Sequence, residues 1–246
     1  MRIIVNGAFG KMGVITCKTL QEHPEFTLVA QLGSHDDLHT AIVNYHPDIV
    51  IDLTSAKCVY ANTLLIIQSG VHPIIGTSGL SVKQIAELTT LTQKHQLGGI
   101  IVPNFSLGAV LMMRFATQAA QYFSNVEIIE MHHTKKYDAP SGTAMRTATM
   151  LNEVYNNQDN HQLLNAHETN TNARGLLHAG IPIHSVRLPG ILAAQKVVFG
   201  SIGETLTIDH NSIDRTCFMP GLLYCCRIIN KLSQLYYGLD QVLNMI

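Results

Sequence analysis

The stretch that decides the fold runs from Ile3 to Gly13 and reads IIVNGAFGKMG. A short β-branched apolar run is followed at once by Gly7 and Gly10, and a helical pattern opens at Lys11. Glycines at such a turn let backbone N–H groups approach a pyrophosphate, which then sits at the positive end of the helix dipole. The stretch therefore predicts a strand, a phosphate-binding loop and a helix of a dinucleotide-binding βαβ unit.

Two details weaken this motif. The spacing is G-x-x-G-x-x-G instead of the usual G-x-G-x-x-G, and glycines that only relieve a strand-to-helix turn would look the same. An acidic residue usually ends the second strand and binds the adenosine ribose hydroxyls. Here that strand ends at Leu32 and continues as Gly33 and Ser34, while Asp36 and Asp37 come a few residues late. No Arg is present there to bind a 2′-phosphate, so the sequence leaves NADH versus NADPH open.

The chain up to Phe105 alternates short apolar runs with segments of helical period, which is the pattern of βαβ units and a parallel sheet. In such α/β folds, ligands bind in the loops that follow the strands. The predicted strands are Ile3–Val5, Leu28–Leu32, Ile49–Ile51, Pro73–Ile75 and Ile100–Val102, and the predicted helices are Lys11–Gln21, Leu38–Asn44, Val59–Gln68 and Val82–Lys94.

After Phe105 the pattern changes to that of a second, α+β domain. We predict helices over Leu107–Gln121 and about Gly142–Tyr155, with strands at Val126–Met131, Ile181–Leu188, Lys196–Phe199 and Thr205–His210. The polar stretch Asn156–Asn172 predicts a mobile surface loop, and Leu222–Tyr237 predicts a helix that returns to pack on the first domain. The predicted domains are 1–105 plus 214–246, and 106–213.

Composition excludes several classes of protein. The 246 residues are 46% hydrophobic and 13% charged, which suits a globular chain. With 16 Lys and Arg against 17 Asp and Glu there is no basic field for nucleic acid. No apolar run is long enough for a signal peptide or a membrane span, so we expect a cytoplasmic protein. The five cysteines are odd in number and lack C-x-x-C spacing, which favours reduced thiols.

The most informative segment runs from Glu130 to Ala144 and reads EMHHTKKYDAPSGTA. A strand delivers two adjacent imidazoles, Lys136 follows, and Pro140-Ser141 marks a helix start. Free amides at that helix end, with the hydroxyls of Ser141 and Thr143, can form a carboxylate site. A histidine can deliver or remove a proton near neutral pH.

Three other interpretations of this segment are open. The adjacent histidines could ligate a metal, but no third ligand stands at metal spacing, and we predict no metal site. Ser141 could be a nucleophile, although Ser-Gly-Thr after a proline is more economically a helix cap. The histidines and Lys136 could also be ordinary polar residues at a strand end.

The segment Glu130–His133, Lys136 and Asp138–Ala144 resembles the signature of the dihydrodipicolinate reductase (4-hydroxy-tetrahydrodipicolinate reductase) family of the diaminopimelate route to lysine. Other landmarks of the family follow in order over nearly the whole chain, namely the Gly7–Gly13 loop, Gly76–Gly79, Pro103–Ser106 and His184–Arg187.

The resemblance implies a Rossmann-like dinucleotide-binding domain, a second domain for substrate and oligomerisation, and a homotetramer. It implies NADH or NADPH as coenzyme and a small cyclic dicarboxylate as substrate. His132 and Lys136 would be catalytic, and His133, Ser141, Gly142 and Thr143 would bind substrate. The implied coenzyme contacts are Gly7, Ala8, Phe9, Gly10, Lys11, Met12, Gly76, Thr77, Ser78, Val102, Pro103, Asn104 and Phe105.

Two departures from the family pattern stand out. Ala193-Ala194-Gln195 replaces a Gly-Glu-His, from which we expect altered sheet or subunit packing with the chemistry retained. The acidic residue after the second strand is replaced at about Gly33. Two alternative functions are a related nicotinamide oxidoreductase acting on another small dicarboxylate or semialdehyde, and a non-catalytic dinucleotide sensor.

Overall fold

The computed structural model describes residues 1–157 and 171–243. The chain divides into two compact units. Unit 1 comprises Met1–Leu107 and Arg215–Ile246, and unit 2 comprises Gly108–Asp214. The mobile loop predicted over 156–172 falls mostly on residues 158–170, which lie outside the described residues.

Unit 1 is an α/β unit around a six-stranded sheet in which every adjacent pair of strands is parallel. The strands are β1 Arg2–Asn6, β2 Thr27–Leu32, β3 Ile49–Asp52, β4 His72–Ile75, β5 Gly99–Ile101 and β11 Leu235–Tyr237, and the helices are α1 Lys11–Gln21, α2 Leu38–Tyr45, α3 Val59–Gln68, α4 Val82–Lys94 and α7 Met219–Ile228. The spatial order of the strands is β11-β5-β4-β3-β1-β2.

The strands of unit 1 form because their side chains are apolar on both faces, as a sheet covered by helices on both sides requires. Ile4, Val50 and Ile75, on three neighbouring strands, are fully buried in one core cluster. Side-chain caps fix where two helices begin: Asp37 accepts from Thr40 N–H before α2, and Ser81 forms a capping box with Gln84 before α4. These elements confirm the α/β prediction.

One prediction in unit 1 was wrong. The helical interpretation of 222–237 holds only to Ile228; a 3₁₀ turn Ile229–Lys231 follows, and Leu235–Tyr237 is the strand β11, which pairs in parallel with β5. The cause is the length of the segment, because a three-residue apolar strand has too few side chains to show an alternating pattern. The aromatic pair Tyr236-Tyr237 suits a strand better than a helix.

Unit 2 is built on a five-stranded mixed sheet. Its strands are β6 Asn125–His132, β7 Leu176–His178, β8 Ile181–Arg187, β9 Ala193–Ser201 and β10 Glu204–Ser212, and its helices are α5 Leu107–Ala119 and α6 Gly142–Asn156. The spatial order of the strands is β10-β9-β6-β8-β7. Strands β6 and β8 are parallel, and the other adjacent pairs are antiparallel.

The sheet of unit 2 buries one face. Val126, Ile128 and Glu130 alternate with less buried neighbours along β6, the period of two expected for a half-covered strand. Strand β9 begins three residues before the predicted start at Lys196, since Ala193–Gln195 already pair with β6. Within the described part of the chain, no helix is both long and apolar enough to cross a membrane.

Candidate active site

The glycine loop after β1 is held against the ends of its neighbouring strands. Gly7 has a φ of +85°, and a Cβ there would lie 2.4 Å from the carbonyl oxygen of Leu53, so only glycine fits. The N–H groups of Gly7 and Ala8 both donate to the Leu32 carbonyl at 2.9 Å. A Cβ on Gly13 would lie 2.1 Å from the Gly7 oxygen, so this glycine lets α1 approach the loop.

The N-terminus of α1 suits a phosphate. Its N-cap is Gly10, and no side chain caps the helix. By contrast, α2, α4 and α6 each have a side-chain oxygen as cap. An eleven-residue helix whose first turn carries no side-chain cap presents N–H donors and a positive dipole end to an anion. The loop therefore fits the pyrophosphate of a dinucleotide.

A buried carboxylate that was not predicted from the sequence organises this edge of the sheet. Asp52 ends β3 and has no exposed surface. It accepts hydrogen bonds from Asn6 Nδ2 at 3.1 Å, from Asn62 Nδ2 at 2.8 Å and from the hydroxyls of Thr54 and Thr77, each at 2.7 Å. The donors come from three neighbouring strand ends and α3, so Asp52 positions the loops after β1, β3 and β4.

The other two predicted coenzyme loops lie at the same edge. The N–H of Gly76 donates to Asp52 O, and that of Val102 to Ile75 O. Phe105 is buried, and a Cβ on Gly76 would lie 2.7 Å from its ring. Within unit 1 the structure thus brings together Gly7–Met12, Gly76–Ser78 and Val102–Phe105. Direct coenzyme contact by these residues stays a prediction.

In unit 2, a second buried carboxylate lies beside the predicted catalytic histidine. Glu130 has no exposed side-chain surface, and its Oε2 lies 2.6 Å from His132 Nδ1. Arg187 donates to both oxygens of the same carboxylate, at 2.7 and 2.9 Å. A carboxylate that accepts from Nδ1–H fixes the ring and leaves Nε2 as the atom that accepts or releases a proton.

Burial and charge set the protonation of this pair. Burial lowers the pKa of His132 below its usual 6.5; the hydrogen bond and charge of Glu130 act against this but do not outweigh it. Burial alone would raise the pKa of Glu130, but hydrogen bonds from Arg187, Ser185 and His132 outweigh it, so the pKa lies below its usual value. Near neutral pH, therefore, Glu130 is ionised and His132 is a neutral base.

Lys136 is held by an acidic partner. Its Nζ donates to both carboxylate oxygens of Asp138 at 2.8 Å, and this contact holds the pKa of Asp138 below its usual value. Arg187 donates to the Asp138 carbonyl oxygen at 2.7 Å, so one guanidinium links Glu130 to the Lys136 segment. The positive charge of Lys136 is close enough to His132 to contribute to the lowering of the pKa of its imidazole.

The predicted substrate residues surround the N-terminus of α6. Ser141 is its N-cap and accepts from Ala144 N–H, as the cap interpretation predicts. A Cβ added to Gly142 would meet nothing within 4 Å, so a ligand has room to approach the first turn. Thr143 follows in that turn, and His133 is half-buried where β6 ends. The helix dipole and the room at Gly142 suit a carboxylate.

Glu130, Arg187 and Asp138 lie within the motifs that resemble the family signature, but no role for them was predicted from the sequence. The signal for Asp52 was an acidic residue ending the otherwise apolar strand IVID. The described residues contain no group of three His, Cys, Asp or Glu side chains that could hold a metal ion.

In unit 1 the chain runs outward from β1 in both directions, to β2 on one side and to β3, β4 and β5 on the other, and the glycine loop follows β1 at this switch point. In unit 2 an imidazole and an ammonium accompany a helix N-terminus that suits an anion. These are features of a dinucleotide-dependent oxidoreductase. Two family profiles cover almost all of the chain: "Dihydrodipicolinate reductase, N-terminus" matches residues 1–105, and "Dihydrodipicolinate reductase, C-terminus" matches residues 108–243. The chain belongs to the dihydrodipicolinate reductase family.

Similar proteins agree along the full length. A 4-hydroxy-tetrahydrodipicolinate reductase of Legionella pneumophila (strain Paris) is 54% identical over 242 residues, which cover 98% of this chain and 99% of that protein. The reductase of Coxiella burnetii (strain RSA 493) is 47% identical over 243 residues, 99% of each. A dipicolinate-bound dihydrodipicolinate reductase from Paenisporosarcina sp. TG-14 superposes with a TM-score of 0.88 at 39% identity, over 99% of both chains. Reductases of this family use NADH or NADPH.

Proposed function

We propose that this chain reduces 4-hydroxy-tetrahydrodipicolinate to tetrahydrodipicolinate, with loss of water, in the diaminopimelate route to lysine. One arrangement in unit 2 supports the proposal most strongly. His132 contacts the buried carboxylate of Glu130, and the ammonium of Lys136 lies in the segment that leads to the N-terminus of α6, where Gly142 leaves room for a ligand. The full-length relatives favour this reaction over another dicarboxylate or a non-catalytic sensor.

Unit 1 would hold the coenzyme. The N–H groups at the N-terminus of α1 would receive the pyrophosphate, and the loops after β4 and β5 would border the rest of the dinucleotide. The reduced nicotinamide supplies a hydride. Unit 1 would position the nicotinamide ring, and the hydrogen bonds to Asp52 would hold the loops after β1, β3 and β4 in place.

Unit 2 would hold the substrate, a cyclic imine with two carboxylates and a ring hydroxyl. One carboxylate fits the N-terminus of α6 at Gly142 and Thr143, with Ser141 and His133 beside it. Lys136 adds a full positive charge to the same region. Because Asp138 is 60% exposed, its pairing with Lys136 is open to competition from a substrate carboxylate.

Loss of water needs a base and an acid at once. Nε2 of the neutral His132 can take the proton from the ring carbon next to the imine, while the Lys136 ammonium protonates the departing hydroxyl. The product of this step is water and a ring alkene conjugated to the imine. The proton balance leaves His132 protonated and Lys136 neutral.

Reduction then returns the proton. When hydride adds to the far alkene carbon, electrons move toward the ring nitrogen, and the carbon next to the imine becomes basic. The protonated His132 returns its proton to that carbon, and Lys136 regains one from solvent. The ionised Glu130 stabilises the imidazolium while it exists.

Two further assignments belong to the proposal. On the open face of the unit 2 sheet, Ile129, Met131, Val186 and Val198 stay only half-buried, an apolar surface suited to subunit contacts in a homotetramer. Light scattering would test this. All five cysteines are free thiols, which fits a reducing compartment, so we propose the cytoplasm.

The test of function is turnover of freshly generated 4-hydroxy-tetrahydrodipicolinate, followed by oxidation of the reduced coenzyme. His132→Gln and Lys136→Ala should each lower kcat about a hundredfold or more and leave coenzyme affinity nearly unchanged. Lys135→Ala, at an exposed neighbouring lysine, is the matched control and should keep wild-type rates. Full turnover by the Lys136 variant would disprove its role; coenzyme binding without any turnover by the wild type would favour the sensor.

A further inference from the structure

The adenosine end of the coenzyme site lacks its usual carboxylate. Dinucleotide-binding units generally place an acidic side chain at the end of the second strand, where it accepts hydrogen bonds from the ribose hydroxyls. Strand β2 ends at Leu32, and the next two residues, Gly33 and Ser34, carry no charge.

Asp36 returns its carboxylate to this position. Its Oδ2 accepts the Gly33 N–H at 2.7 Å, and its own N–H donates to the Gly33 carbonyl oxygen at 3.4 Å. A Cβ built on Gly33 would lie 3.7 Å from that same Oδ2. The Asp36 carboxylate therefore lies beside the end of β2, close to where the carboxylate of an acidic residue at position 33 would lie.

The surroundings connect Asp36 to the glycine loop. Gly7 and Ala8 donate to the carbonyl of Leu32, directly before Gly33. The ring of Phe9, 68% exposed, covers Gly33 so closely that a Cβ there would lie 2.9 Å from it. Because Gly33 has no side chain, the Phe9 ring can pack directly against its backbone. The glycine loop, the Phe9 ring and the Asp36 carboxylate thus form one continuous surface of unit 1.

The neighbouring acid has a different task. Asp37 is the N-cap of α2, and its Oδ1 accepts the Thr40 N–H at 2.7 Å, a bond that lowers its pKa. Asp36 caps no helix. In the part of the chain that the structure describes, it forms no ion pair, and its side chain is exposed. Its charge is therefore available to a ligand.

Charge near Asp36 disfavours a second phosphate. The sequence holds no Lys or Arg between Lys18 and Lys57, so the loop after β2 brings no permanent cation to bind a 2′-phosphate. A phosphate there would face the Asp36 carboxylate, and like charges at short range repel. The permanent cation of the glycine loop itself is Lys11.

We propose that Asp36 is the residue that determines coenzyme specificity: its carboxylate accepts hydrogen bonds from the adenosine ribose hydroxyls and repels a 2′-phosphate, so that the chain prefers NADH to NADPH. This inference rests on the proposed function, since it takes unit 1 as the coenzyme-binding unit.

The test measures equilibrium binding of NADH and of NADPH without substrate, at one fixed pH and ionic strength for all proteins. Wild-type protein should bind NADH about tenfold more tightly or better. Asp36→Asn keeps an oxygen for the Gly33 N–H but removes the charge. It should weaken NADH and strengthen NADPH binding, so that the preference falls by about tenfold.

Asp37→Asn is the matched control, because it removes the same charge one residue away while asparagine still caps α2. Its preference should equal that of the wild type. Equal binding of the two coenzymes by the wild type, a preference for NADPH through Lys11, or the same loss in both variants would overturn the role of Asp36. The proposed function fails separately, when coenzyme binds with the expected preference but 4-hydroxy-tetrahydrodipicolinate is not reduced.

Discussion

Two buried carboxylates, one in each unit, lie at or near the carboxyl end of a strand, but they differ in the kind of partner that holds them. Asp52 and Glu130 are both completely inaccessible to solvent. The hydrogen bonds that Asp52 accepts come from amides, hydroxyls and a backbone N–H, all of them neutral. Glu130 is held by the Arg187 guanidinium and by His132, whose charge depends on pH.

The difference shows that the partners of a buried acid decide what it does. Neutral donors cannot change their charge, so the cluster around Asp52 gives a fixed geometry and suits a positioning task. A cluster that contains a histidine can exchange a proton, and the guanidinium keeps the carboxylate ionised while this happens. We therefore expect substitutions at Asp52 to alter coenzyme affinity, and those at Glu130 to alter proton transfer.

The largest effect is expected for Glu130→Gln. It leaves the half-buried Arg187 guanidinium without a counter-charge and His132 without its anionic acceptor. The free energy of unfolding of unit 2 should fall by about 3 kcal/mol or more. The value of kcat should fall at least about tenfold and its pH profile should shift. Denaturant unfolding and rate profiles measure both.

Glu127→Gln is the control on the same strand. Glu127 also pairs with an arginine and a histidine, Arg174 and His184, but its side chain is 36% exposed. Solvent screens such pairs, so the loss should stay below about 1 kcal/mol, with kcat unchanged. Equal losses in the two variants would contradict the distinction between buried and exposed pairs.

A smaller effect is expected for Asp52→Asn. The asparagine NH₂ group would face hydrogen-bond donors at a position where a carboxylate oxygen now accepts from them. The free energy of unfolding should therefore fall by about 1–3 kcal/mol. Coenzyme binding should weaken several-fold because three loops lose a common acceptor. The pH profile of kcat should not move, since the groups that donate hydrogen bonds to Asp52 are all neutral.

Asp48→Asn is the control for Asp52→Asn, because Asp48 lies at the opposite end of β3. Asp48 directly precedes β3, is exposed and accepts the Arg2 N–H at 2.7 Å. Its substitution should leave coenzyme affinity unchanged. If the two aspartate variants weakened coenzyme binding equally, the positioning role of Asp52 would be wrong.

The smallest effect concerns pH. Because folding lowers the pKa of His132 below 6.5, the unfolded chain binds more protons in the window below that value, and stability should fall as pH decreases through it. His132→Gln removes this contribution, so its unfolding free energy should depend less on pH between about 7.5 and 5.5. Thermal unfolding of the two proteins at several pH values measures the difference; parallel curves would refute it.

The βαβ half of the fold was predictable from sequence because short apolar runs and segments of helical period are local signals that recur there in strict alternation. Helices α1, α3 and α4 have the predicted bounds. Strands β7 and β11 were not predicted, since three residues carry no readable period and their pairing depends on distant strands.

The candidate site was predictable where its residues lie in one segment, as from His132 to Thr143. It was not predictable where the contacts join residues that are distant in sequence. Arg187 on β8 donates to Glu130 on β6, and Asp52 accepts hydrogen bonds from several elements. Asp36 seemed misplaced along the chain because a sequence does not show a side chain folding back on residue 33.

The pairing of β11 with β5 has a consequence for synthesis of the protein. Unit 1 is discontinuous, and the strand that closes its sheet beyond β5 is made only after all of unit 2. Until then β5 is an unprotected edge in the nascent chain, able to pair with other strands. Unit 2 is contiguous and can complete its sheet before unit 1 acquires its last strand.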